Sequence, residues 1–311
     1  MQPTQAESSA VPSFGLIIIG DEILSGKRAD KHLAKVITLL AERGLSLAWA
    51  QYVGDEPARI TAMLRRALDS GDVVFCTGGI GATPDDHTRQ CAAAALGVPL
   101  ALHPEARRLI LQRLQAVAEQ EGVPWEPERP DNLHRLNMGV FPEGADIVPN
   151  PYNQIPGFSV AGQAGGAFHP AAGPLPRRGA APLGGSAPRA AGERGGMIYF
   201  VPGFPVMAWP MIEWALDTHW SHCFRQRAWQ ERSVIIFGGA EAELSPVMER
   251  VEAEHPGVKV FSLPSVDHPQ HGRHIELGVK GAPDAVPAAF ADLREWLLPF
   301  KLSYGPELVR P

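Results

Sequence analysis

Apolar and polar positions along the chain fall into two alternating periods. Phe14–Ile19 (FGLIII) is apolar throughout and stops at Gly20, the pattern of a strand covered on both faces. Leu33, Val36, Ile37 and Leu40 then recur at helical spacing, and Gly44 ends that helix. Leu45–Val53 predicts a second strand, and Ile60, Met63, Leu64 and Leu68 a second helix closed by Gly71. Asp72–Cys76 predicts a third strand, followed at once by a glycine-rich turn. A helix is expected from near Pro84 to Leu96 and a longer one from about Pro104 to Glu121. Met197–Val201 predicts another strand, with a helix after it reaching about Trp220. Strands and helices in this rhythm predict right-handed βαβ units on a parallel, doubly wound sheet. Ligands of such sheets bind beyond the carboxyl ends of the strands.

Past Gln230 the order changes to βαββα. Strands are expected at Ser233–Phe237, Val258–Leu263 and His274–Val279, and helices at Glu241–Glu254 and Asp284–Leu298, together a small α+β unit. Three blocks result: a polar, disordered stretch over 1–13, an α/β domain over 14–225 and the small unit over 228–300. Inside the α/β domain, 160–196 is so rich in Gly, Ala and Pro that a flexible insertion is expected.

Composition narrows the class. The net charge of −6 argues against a whole-surface field for nucleic acid. No apolar run approaches the roughly 18 residues of a membrane span. The start of the chain has no signal-peptide pattern, and Cys76, Cys91 and Cys223 form no CxxC pair. A cytoplasmic protein without nucleic-acid or membrane partners is therefore expected.

The chemistry concentrates in FCTGGIGATPDDHT (Phe75–Thr88). Gly78, Gly79 and Gly81 bring backbone N–H groups close to an anion, and a following helix adds its positive end. Asp85 and Asp86 would repel that anion. One acid is explained by capping, with Thr83 as N-cap and Pro84 in the first helical position. Two acids beside a phosphate nest suit a hard divalent cation, since Mg²⁺ takes one or two carboxylates plus phosphate oxygens. IGDEILSG, at a neighbouring strand end, contributes Asp21, Glu22 and Ser25 to the same crevice. DHPQHGRH (Asp267–His274) has metal-ligand residue types, but Pro269 and Gly272 argue for a polar connection between strands.

GDEILSG, VGDEPARI and TGGIGATPDDHT together resemble the molybdopterin-binding domain of Mog-type molybdenum-cofactor proteins and of the amino-terminal part of competence/damage-inducible protein A. NPYNQIPGF (Asn150–Phe158) and VPGFP (Val201–Pro205) resemble later loops of the second branch. The resemblance implies a Rossmann-like three-layer domain with a mostly parallel sheet. Its ligand would be a small phosphorylated pterin, such as molybdopterin, or a nucleotide. Matched position by position, Thr77, Gly78, Gly79, Gly81 and Thr83 would form the phosphate loop. Asp86 and Asp85 would hold Mg²⁺ or another divalent cation and serve catalysis. Gly20, Asp21, Glu22, Ser25 and Gly26 would line the pocket, and Pro202 and Gly203 would close its far side. Ala82 replaces a proline found in many relatives, and a deamidase domain after residue 298 is not expected. The activities implied are adenylyl transfer to molybdopterin, hydrolysis of ADP-ribose, or ligand binding without catalysis, in a homo-oligomer.

Overall fold

The structure, a computed structural model, describes residues 11–162, 195–225 and 229–310. The stretch 1–10 and the bulk of the glycine-rich insertion, 163–194, lie outside the described residues. The chain divides into two compact units, 1–224 and 225–311.

In the first unit the order is β1 (Phe14–Ile19), α1 (Asp21–Leu24), α2 (His32–Glu42), β2 (Leu47–Val53), α3 (Pro57–Ser70), β3 (Val73–Thr77) and α4 (Thr88–Leu96). There follow β4 (Leu100–Leu102), α5 (Pro104–Glu121), α6 (Pro130–Arg135), β5 (Val140–Pro142), β6 (Asp146–Val148), β7 (Gly157–Ala161), β8 (Met197–Val201) and α7 (Pro205–His219). The main sheet runs β2-β1-β3-β8-β7-β6. β2, β1, β3 and β8 are parallel, and the β8–β7 and β7–β6 pairings are antiparallel. This is the expected mostly parallel α/β fold.

Alternation along the strands builds the two faces. Ile17, Ile19, Val74 and Cys76 pack with Ile60 and Leu64 of α3 and Ala92 of α4. Leu16, Ile18, Val73 and Phe75 pack with Val36 and Leu39 of α2 and Ile212 of α7. With helices on both faces, the strands must be apolar throughout, as FGLIII is. The carboxyl ends of β1, β3 and β8 therefore share one edge of the sheet, which carries the loops after Ile19, Thr77 and Val201.

The two ends of the insertion meet at the opposite edge. Ala161 pairs with Met197, the Gly162 amide donates to the Gly196 carbonyl (2.8 Å), and Met197 donates to Asp72 (2.9 Å), just before β3. Gly162 and Gly195 touch there, so side chains at these positions would collide with backbone. The described ends of β7 and β8 thus meet at the strand ends away from the glycine turn.

The second unit contains β9 (Gln230–Phe237), α8 (Glu241–Glu254), β10 (Lys259–His268), β11 (Gly272–Gly281), α9 (Val286–Trp296) and β12 (Ser303–Arg310). Its sheet order is β10-β11-β9-β12. The fourth strand lies past residue 300, outside the expected βαββα order. Its sequence, SYGPELVR, has Gly and Pro inside the run and only partial apolar alternation, so periodicity did not mark it. It is held instead by pairing along β9. DHPQHGRH forms the β10–β11 turn, with the His268, His271 and His274 rings 5.0–5.5 Å apart. Among the described residues, no group of three His, Cys, Asp or Glu side chains is arranged to hold a metal, and no helix is long and apolar enough to cross a membrane.

Candidate functional site

The glycine turn grows directly out of β3. Gly78 and Gly79 adopt φ of 100° and 68°, left-handed values that other residues rarely take. Both are also closed sterically, because a Cβ on Gly78 would strike the Ile19 carbonyl oxygen and one on Gly79 the Thr88 hydroxyl. The Gly78 amide donates to the Val201 carbonyl (3.1 Å) and its own carbonyl accepts the Thr88 hydroxyl (3.0 Å). Gly78 therefore contributes backbone shape rather than a free donor, and amides for an anion must come from further along the turn.

Thr88, not Pro84, starts the next helix, which corrects the capping expectation. Thr83–Asp86 closes its own turn: the Asp86 amide donates to the Thr83 carbonyl (3.0 Å). Asp86 Oδ2 in return accepts from the Thr83 amide (2.8 Å) and hydroxyl (2.6 Å). The Thr88 amide donates to Gly79 (3.0 Å), which anchors the first turn of α4 on the glycine loop. These local bonds outcompete a helix begun at Pro84. Asp86 thus braces the loop through Oδ2. Asp85 is exposed, and the nearby Thr83 hydroxyl and its own backbone amide draw its carboxyl below the ordinary range.

Beneath the loop lies Arg89, only 4% exposed, with its Nη1 donating to the Ile80 carbonyl. Burial lowers its pKa, opposed by the charge of Asp86. His134 of α6 holds the loop from outside, with Nε2 at 3.1 Å from the Ala82 carbonyl.

The loop after β1 turns at Gly20 (φ 149°), and Asp21 and Glu22 open α1. Ser25 and Gly26 close that helix, their amides donating to Asp21 (2.8 Å) and Ile23 (3.1 Å). Asp21 exchanges hydrogen bonds with Asp55, from the VGDEP loop after β2: the Asp21 amide donates to Asp55 (2.9 Å) and the Asp55 amide to Asp21 (3.2 Å). Gly54 permits this approach, since a Cβ there would run into Asp21 Oδ1. Burial raises the Asp55 pKa, and the charges of Asp21, Glu22 and Asp85 raise it further. The acids of three separate loops therefore feel one another.

The raised Asp55 pKa has a signed consequence. A carboxyl whose folded-state pKa lies above its unfolded value costs stability as pH rises through that window, and carries the full cost above it. At pH 7 without divalent cation, Asp55→Asn is expected to raise the thermal midpoint by on the order of 1 °C, the scale of a few tenths of a kcal/mol. The gain should vanish near pH 3. Calorimetry at both pH values checks this, and a lower midpoint at pH 7 would contradict it.

Pro202 and Gly203 follow Val201, whose carbonyl accepts the Gly78 amide. A Cβ on Gly203 would lie 3.5 Å from the Gly78 Cα, so the two turns abut. The Gly203 carbonyl meets His32 Nε2 at 3.1 Å, and Asp30 fixes His32 by accepting the amides of His32 (2.8 Å) and Leu33 (3.1 Å). His32 Nδ1 and Thr77 Oγ1 are both buried with no hydrogen-bond partner among the described residues.

A family described as "Probable molybdopterin binding domain" matches residues 15–219. The chain belongs to the molybdopterin-binding-domain family. A protein of Pyrobaculum aerophilum is 27% identical over 93% of this chain and 95% of its own length. A CinA-like protein of Gloeobacter violaceus is 33% identical over 47% of this chain but only 32% of its own length. The chain thus spans about a third of such CinA-like relatives. The crystal structure of CinA from Thermoplasma acidophilum, described as of unknown function, aligns with 66% of this chain and 96% of its own at 21% identity and a TM-score of 0.46.

Arg89, Asp55, His32 and His134 are site residues that the sequence reading missed. Arg89 alone left a signal, as a charge among Thr88, Cys91, Ala92, Ala93 and Ala95 on the buried face of a small-residue helix. The others depend on loops that meet only in three dimensions. The buried cysteines take no part: burial pushes the thiols of Cys76, Cys91 and Cys223 upward, away from reactivity.

Proposed function

We propose that the crevice at the carboxyl ends of β1 and β3 binds a phosphorylated pterin or nucleotide together with a divalent cation, and catalyses attack on a phosphoryl group. The observation that carries this reading is one edge of the sheet holding a left-handed glycine turn, a buried arginine beneath it and carboxylates along its rim. The turn and Arg89 favour an anion, whereas Asp21, Glu22, Asp55, Asp85 and Asp86 disfavour one. A cation shared with the ligand reconciles them.

The donor set fits Mg²⁺ as a partner brought with the phosphate. Such an ion would take one or two of the carboxylates and fill its shell with phosphate oxygens and water. Asp86 Oδ1 and Asp85 would hold it, and it would neutralise charge developing on the phosphate oxygens. Arg89 and the amides past Gly78 stabilise the same charge from the protein side. Asp86 does both jobs, bracing the turn through Oδ2 and facing the ligand through Oδ1.

The first reaction such a site would support is adenylyl transfer, in which a molybdopterin phosphate oxygen attacks the α-phosphorus of ATP and pyrophosphate departs. A second reading is hydrolysis of a pyrophosphate such as ADP-ribose, which the same glycine turn and carboxylates would serve. Turnover assays with Mg²⁺ and ATP plus molybdopterin, or with Mg²⁺ and ADP-ribose, separate them. Asp86→Asn is expected to lower kcat by about a hundred-fold, the scale of losing one preorganised electrostatic contribution. Unchanged turnover in that variant would remove Asp86 from the site. Saturable binding with no turnover in either assay would make the chain a binding protein.

A further inference from the structure

Beside the glycine turn stands an aromatic side chain that the phosphate chemistry does not use. Phe204 follows Gly203 directly and is 55% exposed, although its backbone is fixed: its carbonyl accepts the amides of Met207 (3.0 Å) and Ala208 (2.9 Å) at the start of α7. The Arg28 guanidinium lies over its ring, 5.8 Å from the centroid. Arg28 comes from the other rim of the crevice, with its amide donating to the Glu22 carbonyl (3.0 Å). Leu24, on that same rim, is 56% exposed. Two separately anchored loops thus set an aromatic face and a planar cation together, one residue from the contact between Gly203 and Gly78.

We propose that Phe204, with Arg28 at its face, is the stacking plate for the flat nitrogen heterocycle of the ligand. This subsite rests on the phosphate reading above and deepens it, by naming the side chain that meets the ligand's planar ring. A scattered exposed apolar residue needs no explanation. Phe204 differs in position, one residue from the Gly203–Gly78 contact, and in having a guanidinium from across the crevice against it. Electron-poor heterocycles stack on phenyl faces, and guanidinium planes stack on either. The arrangement selects pterin- or adenine-like ligands over sugar phosphates and inorganic phosphates, which have nothing to stack.

Two probes in the presence of Mg²⁺ test it: ADP, which has a planar base, and inorganic pyrophosphate, which has none. Phe204→Ala is expected to weaken ADP about ten-fold, within the range for loss of base–aromatic stacking, while pyrophosphate binds as in the wild type. Phe204→Tyr should retain the wild-type ADP affinity. An unaltered thermal midpoint in Phe204→Ala would show that the loop is intact, as expected for an exposed side chain. The subsite alone is overturned if wild type binds both probes and Phe204→Ala leaves ADP unchanged, or weakens ADP and pyrophosphate equally. If wild type binds neither probe, the phosphate reading itself falls and the subsite with it.

Discussion

Gly78→Ala is expected to damage the first unit severely, costing about 3 kcal/mol and lowering its thermal midpoint by roughly 6–12 °C. Two independent effects add. The φ of 100° is strained for any side chain, and a Cβ would be driven into the Ile19 carbonyl oxygen, which belongs to a central strand and cannot retreat. Gly26 separates the two. It has φ 73° but open space around its missing Cβ. Gly26→Ala should therefore show the conformational cost alone, about 1 kcal/mol. Thermal unfolding of both variants is the check. Equal losses would mean that the contact with Ile19 is relieved by movement and that the turn is softer than its hydrogen bonds to Val201 and Thr88 imply. Ligand binding should disappear with Gly78→Ala, because the turn cannot keep its shape.

Arg89→Met is expected to weaken phosphate binding more than it weakens the fold. Release of the desolvated guanidinium offsets part of the cost, but the Ile80 carbonyl loses its donor, so a loss of about 1–3 kcal/mol is expected. Phosphate affinity should fall by about ten- to a hundred-fold, the worth of a charge-assisted hydrogen bond lost from a dry site. Arg89→Lys keeps the charge but loses the planar fork, and should fall between the two. Midpoint and Kd measured on the same preparations distinguish this from simple unfolding. A large fall in midpoint with an unchanged Kd would make Arg89 a structural strut beneath the loop.

The sequence carried the fold further than it carried the site. Strands covered on both faces, such as FGLIII and VVFCT, are apolar from end to end, and the α2 and α3 stripes repeat at 3.6 residues. Glu241–Glu254 was legible to its ends. Short strands held by pairing alone, such as Val140–Pro142 and Ser303–Arg310, left no period to read. At the site, the glycines and the acid pair were visible because each chemistry clusters in a few residues. The start of α4 was misplaced because Thr83 and Asp86 look like a cap and instead close a private turn. The facing of Asp21 and Asp55, 34 positions apart, and of His32 and Gly203, 171 apart, is a property of topology and has no local signature.

The central claim, that the acids serve a phosphate through a shared cation, is tested most directly by calorimetric titration of ADP into wild type and Asp86→Asn, each with Mg²⁺ and with chelator. The expected pattern is a crossover. With Mg²⁺, the wild type should bind about ten-fold or more tightly than Asp86→Asn, since one carboxylate has left the metal. With chelator, Asp86→Asn should bind at least as tightly as the wild type, because a repelling charge has gone and asparagine still accepts the Thr83 amide and hydroxyl. Affinities insensitive to Mg²⁺, or an Asp86→Asn defect of equal size in both conditions, would contradict the claim and leave Asp86 as a brace for the turn alone.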